Sequence, residues 1–187
     1  MAEKISPIAL QSKEWIVESF FDLLSIKPIN IITISEIAEN AGLDRRTVYR
    51  HFAAKVDIIE YYFKEVSNKY EEKLKEKIKA ESNSLPREFS VVRAFFEMCE
   101  ENKEVLIILY EQNLLHLLLG IFNNLFPALH YRFSTEEELK FENQDYFLAY
   151  NIGGLWNLLV KWIEKRCIKT PEQMEEIVDQ LFSNKII

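Results

Sequence analysis

The chain is poor in the residues that interrupt helices. Only four of its 187 residues are glycine and five are proline, which favours long helices over strands joined by tight turns. Its two cysteines, Cys99 and Cys167, stand alone in the sequence and lack the spacing of a zinc site or a disulfide framework. We therefore expect reduced, buried or neutral thiols in a cytoplasmic protein.

Long apolar runs are also missing. No stretch approaches the ~18 residues of a membrane span, and the polar N-terminus lacks the apolar segment of a signal peptide. We expect a cytoplasmic location and no membrane partner. Apolar residues nevertheless make up 48% of the chain and aromatic residues 13%, so a sizeable folded core is expected rather than disorder.

The sequence contains none of the short motifs that carry catalysis. A phosphate-binding loop, a metal-ligand cluster and an activated nucleophile are all missing. We therefore predict that the chain is not an enzyme and that it has no cofactor and no metal site. A helical enzyme is the least favoured function, below DNA binding, ligand binding and scaffolding.

Residues 33–55 predict two short helices joined by a tight turn. Thr33 begins a capping box with the glutamate three residues later. Gly42 follows the last apolar position of the first helix and can end it in the left-handed conformation. Asp44 can cap the second helix, and the branched Val48 is placed to pack it against the first. These offsets fit a helix-turn-helix.

The second of these helices is expected to expose a basic face. From Arg45 to Lys55 there are four basic residues and no acidic one, and such side chains contact phosphates and read guanine edges in the major groove. An ordinary solvated surface helix is the alternative, but capping, turn and packing offsets together favour double-stranded DNA as a partner. The predicted DNA-contacting residues are Thr33, Arg45, Arg46, Thr47, Tyr49, Arg50, His51 and Lys55.

The distribution of charge agrees with contact to DNA at one end of the molecule. The formal net charge is −7, which argues against a protein that coats nucleic acid. Residues 1–80 carry thirteen basic and thirteen acidic side chains, whereas residues 81–187 carry ten basic and seventeen acidic ones. A neutral N-terminal part with a local basic run is thus joined to an acidic body.

The helix-turn-helix resembles the DNA-binding domain of the TetR family of bacterial regulators, over about residues 8–65. The matching positions, aligned without a gap, are Ile34-x-x-Ile37-Ala38-x-x-Ala41-Gly42-Leu43 and Thr47-Val48-Tyr49-x-His51-Phe52-x-x-Lys55-x-Asp57. Lys27-Pro28 resembles a subgroup from low-GC Gram-positive bacteria. Arg46 and Pro28 depart from the family, where a small residue and a glycine are common, so no base preference is carried over.

The predicted fold is all-α. An N-terminal three-helix helix-turn-helix domain covers residues 1–54, and a larger helical ligand-binding and dimerisation domain covers residues 55–187, beginning with a connecting helix over 55–81. The prolines and caps set the expected helix ends. Ser6-Pro7 is expected to start the first helix, with Trp15 among its buried anchors. Asn102 is expected to cap a helix over 103–110, and Pro127 to end or kink an apolar helix. Thr135 with Glu138 is expected to form a capping box, and the segment 82–86 to mark the domain boundary.

Residues 143–165 predict a helix that is apolar on nearly all sides. Such a helix must be covered all round, on one side by its own chain and on the other by a partner. Gly153-Gly154 lowers helix propensity by about 1 kcal/mol per residue, which makes a close helix approach plausible there. Thr170-Pro171-Glu172-Gln173 starts the last helix. This pattern resembles the C-terminal region of the same subgroup, and in the family the last two helices pair with their copies. We predict a homodimer, with Gly153, Leu158, Trp162, Met174, Ile177 and Leu181 at the interface.

Aromatic side chains in the body are candidates for a ligand cavity, although aromatics at helical spacing more often form a core. His116 is most simply a satisfied core histidine, the alternative being a polar contact in a pocket. The candidate ligand-binding residues are Phe95, Tyr110, His116, Tyr150 and Trp156. The resemblance implies a repressor released from a palindromic operator by a small-molecule effector, here unknown. The alternative function is a helical ligand-binding or scaffolding protein with a vestigial helix-turn-helix.

Overall fold

The computed structural model describes residues 7–80, 91–133 and 142–183, and within these ranges the regular structure is entirely helical. The all-α prediction is therefore confirmed. The helices are α1 Pro7–Ile26, α2 Ile34–Asn40, α3 Arg45–His51, α4 Lys55–Ala80, α5 Val91–Glu101, α6 Lys103–Glu111, α7 Leu119–Phe133, α8 Gln144–Glu164 and α9 Pro171–Ser183, with a 3-10 helix over Leu115–Leu118. The predicted cap at Ser6, the boundary segment 82–86 and the capping box at Thr135 lie outside the described residues.

The chain divides into two compact units, residues 1–64 and 65–187. This division falls ten residues later than the predicted one. The first turns of α4 belong with the helix-turn-helix because Ile58 is fully buried and Tyr62 packs edge-on against Phe21 of α1, with ring centroids 5.0 Å apart. Helix α4 itself has the predicted extent to within one residue.

The core of the first unit joins α1, α2 and α3. Ile16 and Phe20 of α1, Ile37 of α2 and Val48 of α3 are all fully buried, and burying such a side chain stabilises a fold by about 1.5–3 kcal/mol. The Ser19 hydroxyl donates a 2.8 Å hydrogen bond to the carbonyl oxygen of Ile37. This bond and the shared core fix α2 against α1, and α2 in turn supports α3.

The second unit is built around edge-to-face aromatic pairs. Phe95 lies at its centre, with ring centroids 5.1 Å from Phe96, 5.3 Å from Phe122 and 5.4 Å from Phe126. The cluster is extended by Trp162, 5.5 Å from Phe96. Such pairs contribute about 0.5–1.5 kcal/mol each beyond their buried area, and they join α5, α7 and α8 in one aromatic core.

The second half of α4 packs on this unit rather than standing in solvent. Tyr70 and Leu74 of α4 are buried with Ala94 of α5 and Leu129 of α7. Burial also raises the pKa of the Tyr70 phenol, which keeps it neutral. Leu74 is only 2% exposed although charged residues surround it in the sequence, because its side chain faces this core.

Two expectations about single residues in the helices are wrong, and one of two alternatives for a third residue is excluded. Trp15 is 45% exposed, since the neighbouring Ile16 takes the buried position in that turn. The side chain of Asn102 does not cap α6 and instead donates a 2.7 Å bond to the carbonyl oxygen of Met98. Pro127 lies inside α7 and does not end it, so the alternative, a kink at this residue, stays a prediction. Its missing N–H costs one helical hydrogen bond, while burial of the flanking Phe126 favours continuing the helix.

Candidate DNA-binding site

The predicted capping box forms at the N-terminus of α2. The amide of Glu36 donates to the Thr33 hydroxyl oxygen at 3.2 Å, and the amide of Thr33 donates to the Glu36 carboxylate at 2.9 Å. The Thr33 hydroxyl donates to the same carboxylate oxygen at 2.9 Å. Lys27 pairs with the other oxygen of Glu36. These contacts define the backbone direction at the start of the helix-turn-helix.

The turn between α2 and α3 has the predicted chemistry. Gly42 adopts φ +65°, and the amide of Leu43 donates 2.8 Å to the carbonyl oxygen of Ala38. An added Cβ on Gly42 would meet no atom within 4 Å, so glycine is needed here for its backbone conformation and not for space. Asp44 then caps α3, accepting a 2.7 Å bond from the amide of Arg46.

Helix α3 presents its cations outward. Val48 is fully buried against α1 and α2, while Tyr49 on the other side is 60% exposed. Arg45, Arg46 and Arg50 are exposed as well, and Thr47 and His51 are half-buried. The helix therefore offers guanidinium groups and a phenol to a partner on one face, which suits phosphate and base-edge contacts.

Lys55 differs from the other predicted contact residues. Its ammonium donates to the carbonyl oxygens of Ile29 and Ile32, the latter at 2.7 Å, and the side chain is half-buried. Two of its three N–H donors are thus used within the protein. A contact of Lys55 with phosphate stays a prediction, and the structure adds an internal role that the sequence did not indicate.

His51 is held near the end of α3 with its Nε2 atom shielded. That atom has no hydrogen-bond partner among the described residues. Burial, followed by the nearby charges of Arg50 and Lys13, lowers the pKa of His51 below its ordinary value of 6.5. The folded protein therefore favours the neutral imidazole.

This lowered pKa predicts a specific dependence of stability on pH. The unfolded chain binds the proton of His51 more tightly than the folded chain, so this contribution is fully present above pH 6.5 and is lost as the pH falls below it. We expect His51→Gln to reduce the loss of melting temperature between pH 8 and pH 5.5. The exposed His116, changed to Gln, is the matched control. Identical pH profiles for wild type and His51→Gln would contradict the assignment.

A second surface feature lies in the C-terminal unit, on α5, α8 and α9. It is an apolar groove of about 220 Å³, lined by Val92, Tyr150, Asn151, Gly154, Leu155, Leu158, Val178 and Leu181. Tyr150 is 73% exposed at its edge. A continuous apolar patch of this kind marks an interaction surface more often than a lone exposed residue does.

The predicted interface residues separate into two groups. Leu158, Leu181, Gly153 and Ile177 are partly or largely exposed and are available to a partner. Trp162 and Met174 are only 3% and 4% exposed in the single chain. Trp162 donates 2.8 Å to the carbonyl oxygen of Lys169, so it stabilises its own chain, and the expectation that these two residues face a partner needs correction.

The candidate ligand residues do not form one site. Phe95 is fully buried in the aromatic core, and Trp156 packs on Phe122 with centroids 5.1 Å apart. Tyr110 and Tyr150 lie at the surface. His116 is exposed, with Nδ1 3.0 Å from the carbonyl oxygen of Asn113, so the expectation of a core histidine is wrong. Of these five residues, Phe95 and Trp156 both contact Phe122 of the aromatic core.

Three further properties concern the described residues alone. In these ranges no three His, Cys, Asp or Glu side chains come together to hold a metal ion. None of the described helices combines the length and apolar character needed to cross a membrane. Both cysteines are buried free thiols, and burial raises their pKa, that of Cys167 to about 11.

A capped helix-turn-helix with an outward-facing basic helix, followed by a larger helical unit, is typical of helical DNA-binding regulators. The sequence profile described as "Bacterial regulatory proteins, tetR family" matches residues 21–62, and the profile described as "Transcriptional regulator C-terminal region" matches residues 87–184. The chain therefore belongs to the TetR family of bacterial transcriptional regulators, as the resemblance of its motifs indicated.

One solved structure with a similar fold is described as the fatty acid degradation regulator FadR from Bacillus halodurans. It shares 17% sequence identity, the match covers 98% of both chains, and the TM-score is 0.63. At this identity the likeness shows the fold alone. A search of curated protein sequences finds no significant match.

Proposed function

We propose that this regulator is a cytoplasmic homodimeric repressor, which binds a palindromic operator and is released from it by a small, mostly apolar effector. One observation carries the DNA-binding part of this proposal. Helix α3 buries Val48 while it exposes Arg45, Arg46, Tyr49 and Arg50 together. The buried contact fixes the helix, so the exposed face is presented as a rigid surface.

The alternative is a ligand-binding or scaffolding protein with a vestigial helix-turn-helix. A vestigial motif has no need to keep its caps, yet Thr33, Gly42 and Asp44 all retain their predicted geometry. This favours a working DNA-binding site. A gel shift with the DNA upstream of the protein's own coding sequence separates the two functions, since the alternative predicts no retarded band.

The exposed face of α3 leads to a prediction about specificity. Arg46→Ala is expected to change the preferred base sequence and to weaken binding to the original operator by about tenfold or more, since one bidentate base contact contributes ~1–3 kcal/mol. Tyr49→Ala is expected to weaken binding to all sequences alike. The measurement is selection of duplexes from a random library, with Lys169→Ala, an exposed cation of the second unit, as control. An unchanged consensus and affinity for both α3 variants would refute the site.

The homodimer rests on the apolar groove of α5, α8 and α9. Leu158, Leu181 and Tyr150 line it, and the aromatic residues Tyr146 and Phe147 are also exposed on α8. An obligate interface buries roughly 2,000 Å² or more, and the exposed residues of α8 and α9 offer a surface that extends beyond the groove. Two-fold symmetry of the protein implies a palindromic operator, since each copy reads one half-site.

The course of α4 along the chain supports the proposed release by an effector. Helix α4 begins beside the helix-turn-helix, and its second half packs with Leu129 of α7 and pairs Glu71 with Arg132. Helix α7 also carries Phe122, which contacts both Phe95 and Trp156. A ligand that displaces these rings would move α7 and, through it, α4. We propose this aromatic region as the place where an apolar effector enters.

A further inference from the structure

The outer face of α1 and the turn after α2 border an open groove of about 440 Å³. Trp15, Glu18, Ser19 and Asp22 form its α1 side, and residues 40–42 form the other side. All of these residues belong to the first compact unit, but none of the exposed cations of α3 lines the groove. The groove is therefore built from different residues than the surface proposed to contact DNA.

Trp15 supplies the aromatic part of this groove. Its side chain is 45% exposed, and within the described ranges it has neither a ring pair nor a hydrogen-bond partner. Ile8, two turns earlier on the same face of α1, is 80% exposed. Tryptophan is enriched among the residues that contribute most to binding at protein interfaces. This face of α1 thus offers apolar contact area that its own unit does not fully cover.

Two carboxylates give the groove its charge. Glu18 and Asp22 follow Trp15 by three and seven positions, so all three lie along one side of α1. Both carboxylates are exposed, and neither has a hydrogen-bond or ion-pair partner in the described part of the chain. The residues that line the groove include no basic one. Negative charge beside an aromatic ring attracts a guanidinium or ammonium group, whereas it repels the phosphates of DNA.

The length of this surface favours a segment of polypeptide over a small cation. From Ile8 to Asp22 the helix rises about 21 Å, at ~1.5 Å per residue, which matches about six residues of extended chain. Sites for small molecules usually enclose most of the ligand, whereas this groove is open to solvent. A long basic side chain can lay its apolar stem on Trp15 and keep its charged group beside the carboxylates.

We propose that this groove is a docking site for a lysine- or arginine-bearing segment of a partner protein. Trp15 provides the cation–π and apolar contact, while Glu18 and Asp22 attract the charged group. Through this site a second protein binds the regulator at its DNA-binding unit without using the exposed face of α3. The proposal does not depend on operator binding, since it is tested on the DNA-free protein.

The test uses the full-length protein and, as probe, a capped seven-residue peptide of alternating arginine and glycine. Nuclear magnetic resonance follows the indole N–H signals during a titration. We expect the peptide to shift the Trp15 indole and the Gly42 amide. The Trp162 indole, which is buried and bonded to the carbonyl oxygen of Lys169, should not shift. The same peptide with citrulline in place of arginine keeps the shape without the charge, and should not bind.

Three variants then assign the contacts. Glu18→Gln and Asp22→Asn each remove one charge with almost no change of shape, and Trp15→Leu removes the ring but keeps an apolar side chain. We expect each to weaken peptide binding about two- to fivefold, as for one exposed cation–π contact or ion pair. Glu60→Gln, which removes an exposed carboxylate of α4 in the same unit, should bind the peptide as the wild type does. Circular dichroism checks folding, and the two carboxylate variants decide if Trp15→Leu does not fold.

Three results would overturn the proposal. The first is equal peptide affinity in wild type, Glu18→Gln and Asp22→Asn, or shifts confined to residues outside the groove. The second is a Trp15 shift with spermidine at concentrations as low as those of the peptide, since a free cation would then suffice. The third is a Trp15 signal that moves when the protein alone is diluted, since a second copy of the chain would then occupy the groove.

Discussion

Gly154→Arg is expected to convert the protein from a dimer to a folded monomer. Gly154 is exposed on α8 and lines the apolar groove. A Cβ added there would meet no atom of its own chain within 4 Å, so the single chain accommodates the larger residue. Replacing a helical glycine also raises the helix propensity by about 0.5–1 kcal/mol. The arginine is therefore expected to clash with the partner chain that approaches this surface, and not with its own chain.

Loss of the dimer should appear most strongly in operator affinity. Two linked DNA-binding domains bind about 10²–10⁴-fold more tightly than one, because the second domain binds its half-site in an intramolecular step. We expect Gly154→Arg to remain folded by circular dichroism, to sediment as a monomer at micromolar concentration and to lose operator affinity by such a factor. Its melting temperature should no longer depend on protein concentration, because the stabilisation that the partner supplies is lost.

The matched control is Gly120→Arg. Gly120 is also exposed on a helix, and a Cβ there also meets nothing within 4 Å, but it lies on α7 away from the groove. This control should remain dimeric and bind DNA as the wild type does. A dimeric Gly154→Arg protein with full operator affinity would show that the partner surface lies elsewhere.

Local features of this fold could be predicted from the sequence because their causes are local. The caps at Thr33 and Asp44 and the left-handed Gly42 depend on residues within three or four positions. All were found as expected. The start of α9 is a further example, since the amide of Thr170 donates 3.1 Å to Gln173.

Features that depend on tertiary packing were predicted less well. Helix α8 is apolar on most of its sides, and its pattern alone does not tell which side its own chain covers. Trp162, predicted at the partner surface, is buried, whereas Leu158 lines the exposed groove. The two carbonyl partners of Lys55 lie 23 and 26 residues away along the chain, so no local pattern could reveal them.

Operator DNA and effector are expected to weaken each other's binding by the same factor. Free-energy coupling between two sites is reciprocal, and such couplings are typically 1–3 kcal/mol, or about 5- to 150-fold. The effector can shift DNA affinity only by its own preference between the two conformations. Calorimetry with a small apolar compound, found by its effect on melting temperature, should therefore give a dissociation constant raised about 5- to 150-fold when operator is present.

The coupling should depend on the contact between α7 and α4. Arg132→Gln removes the ion pair with Glu71 but leaves the aromatic core around Phe95 and the exposed face of α3 intact. We expect this variant to bind the effector alone and the operator alone with nearly wild-type affinity, while the factor that links them falls. Lys161→Gln, which breaks an ion pair within α8, serves as control. Equal effector affinity with and without operator in the wild-type protein would exclude this mechanism, and the second unit would then serve in dimerisation alone.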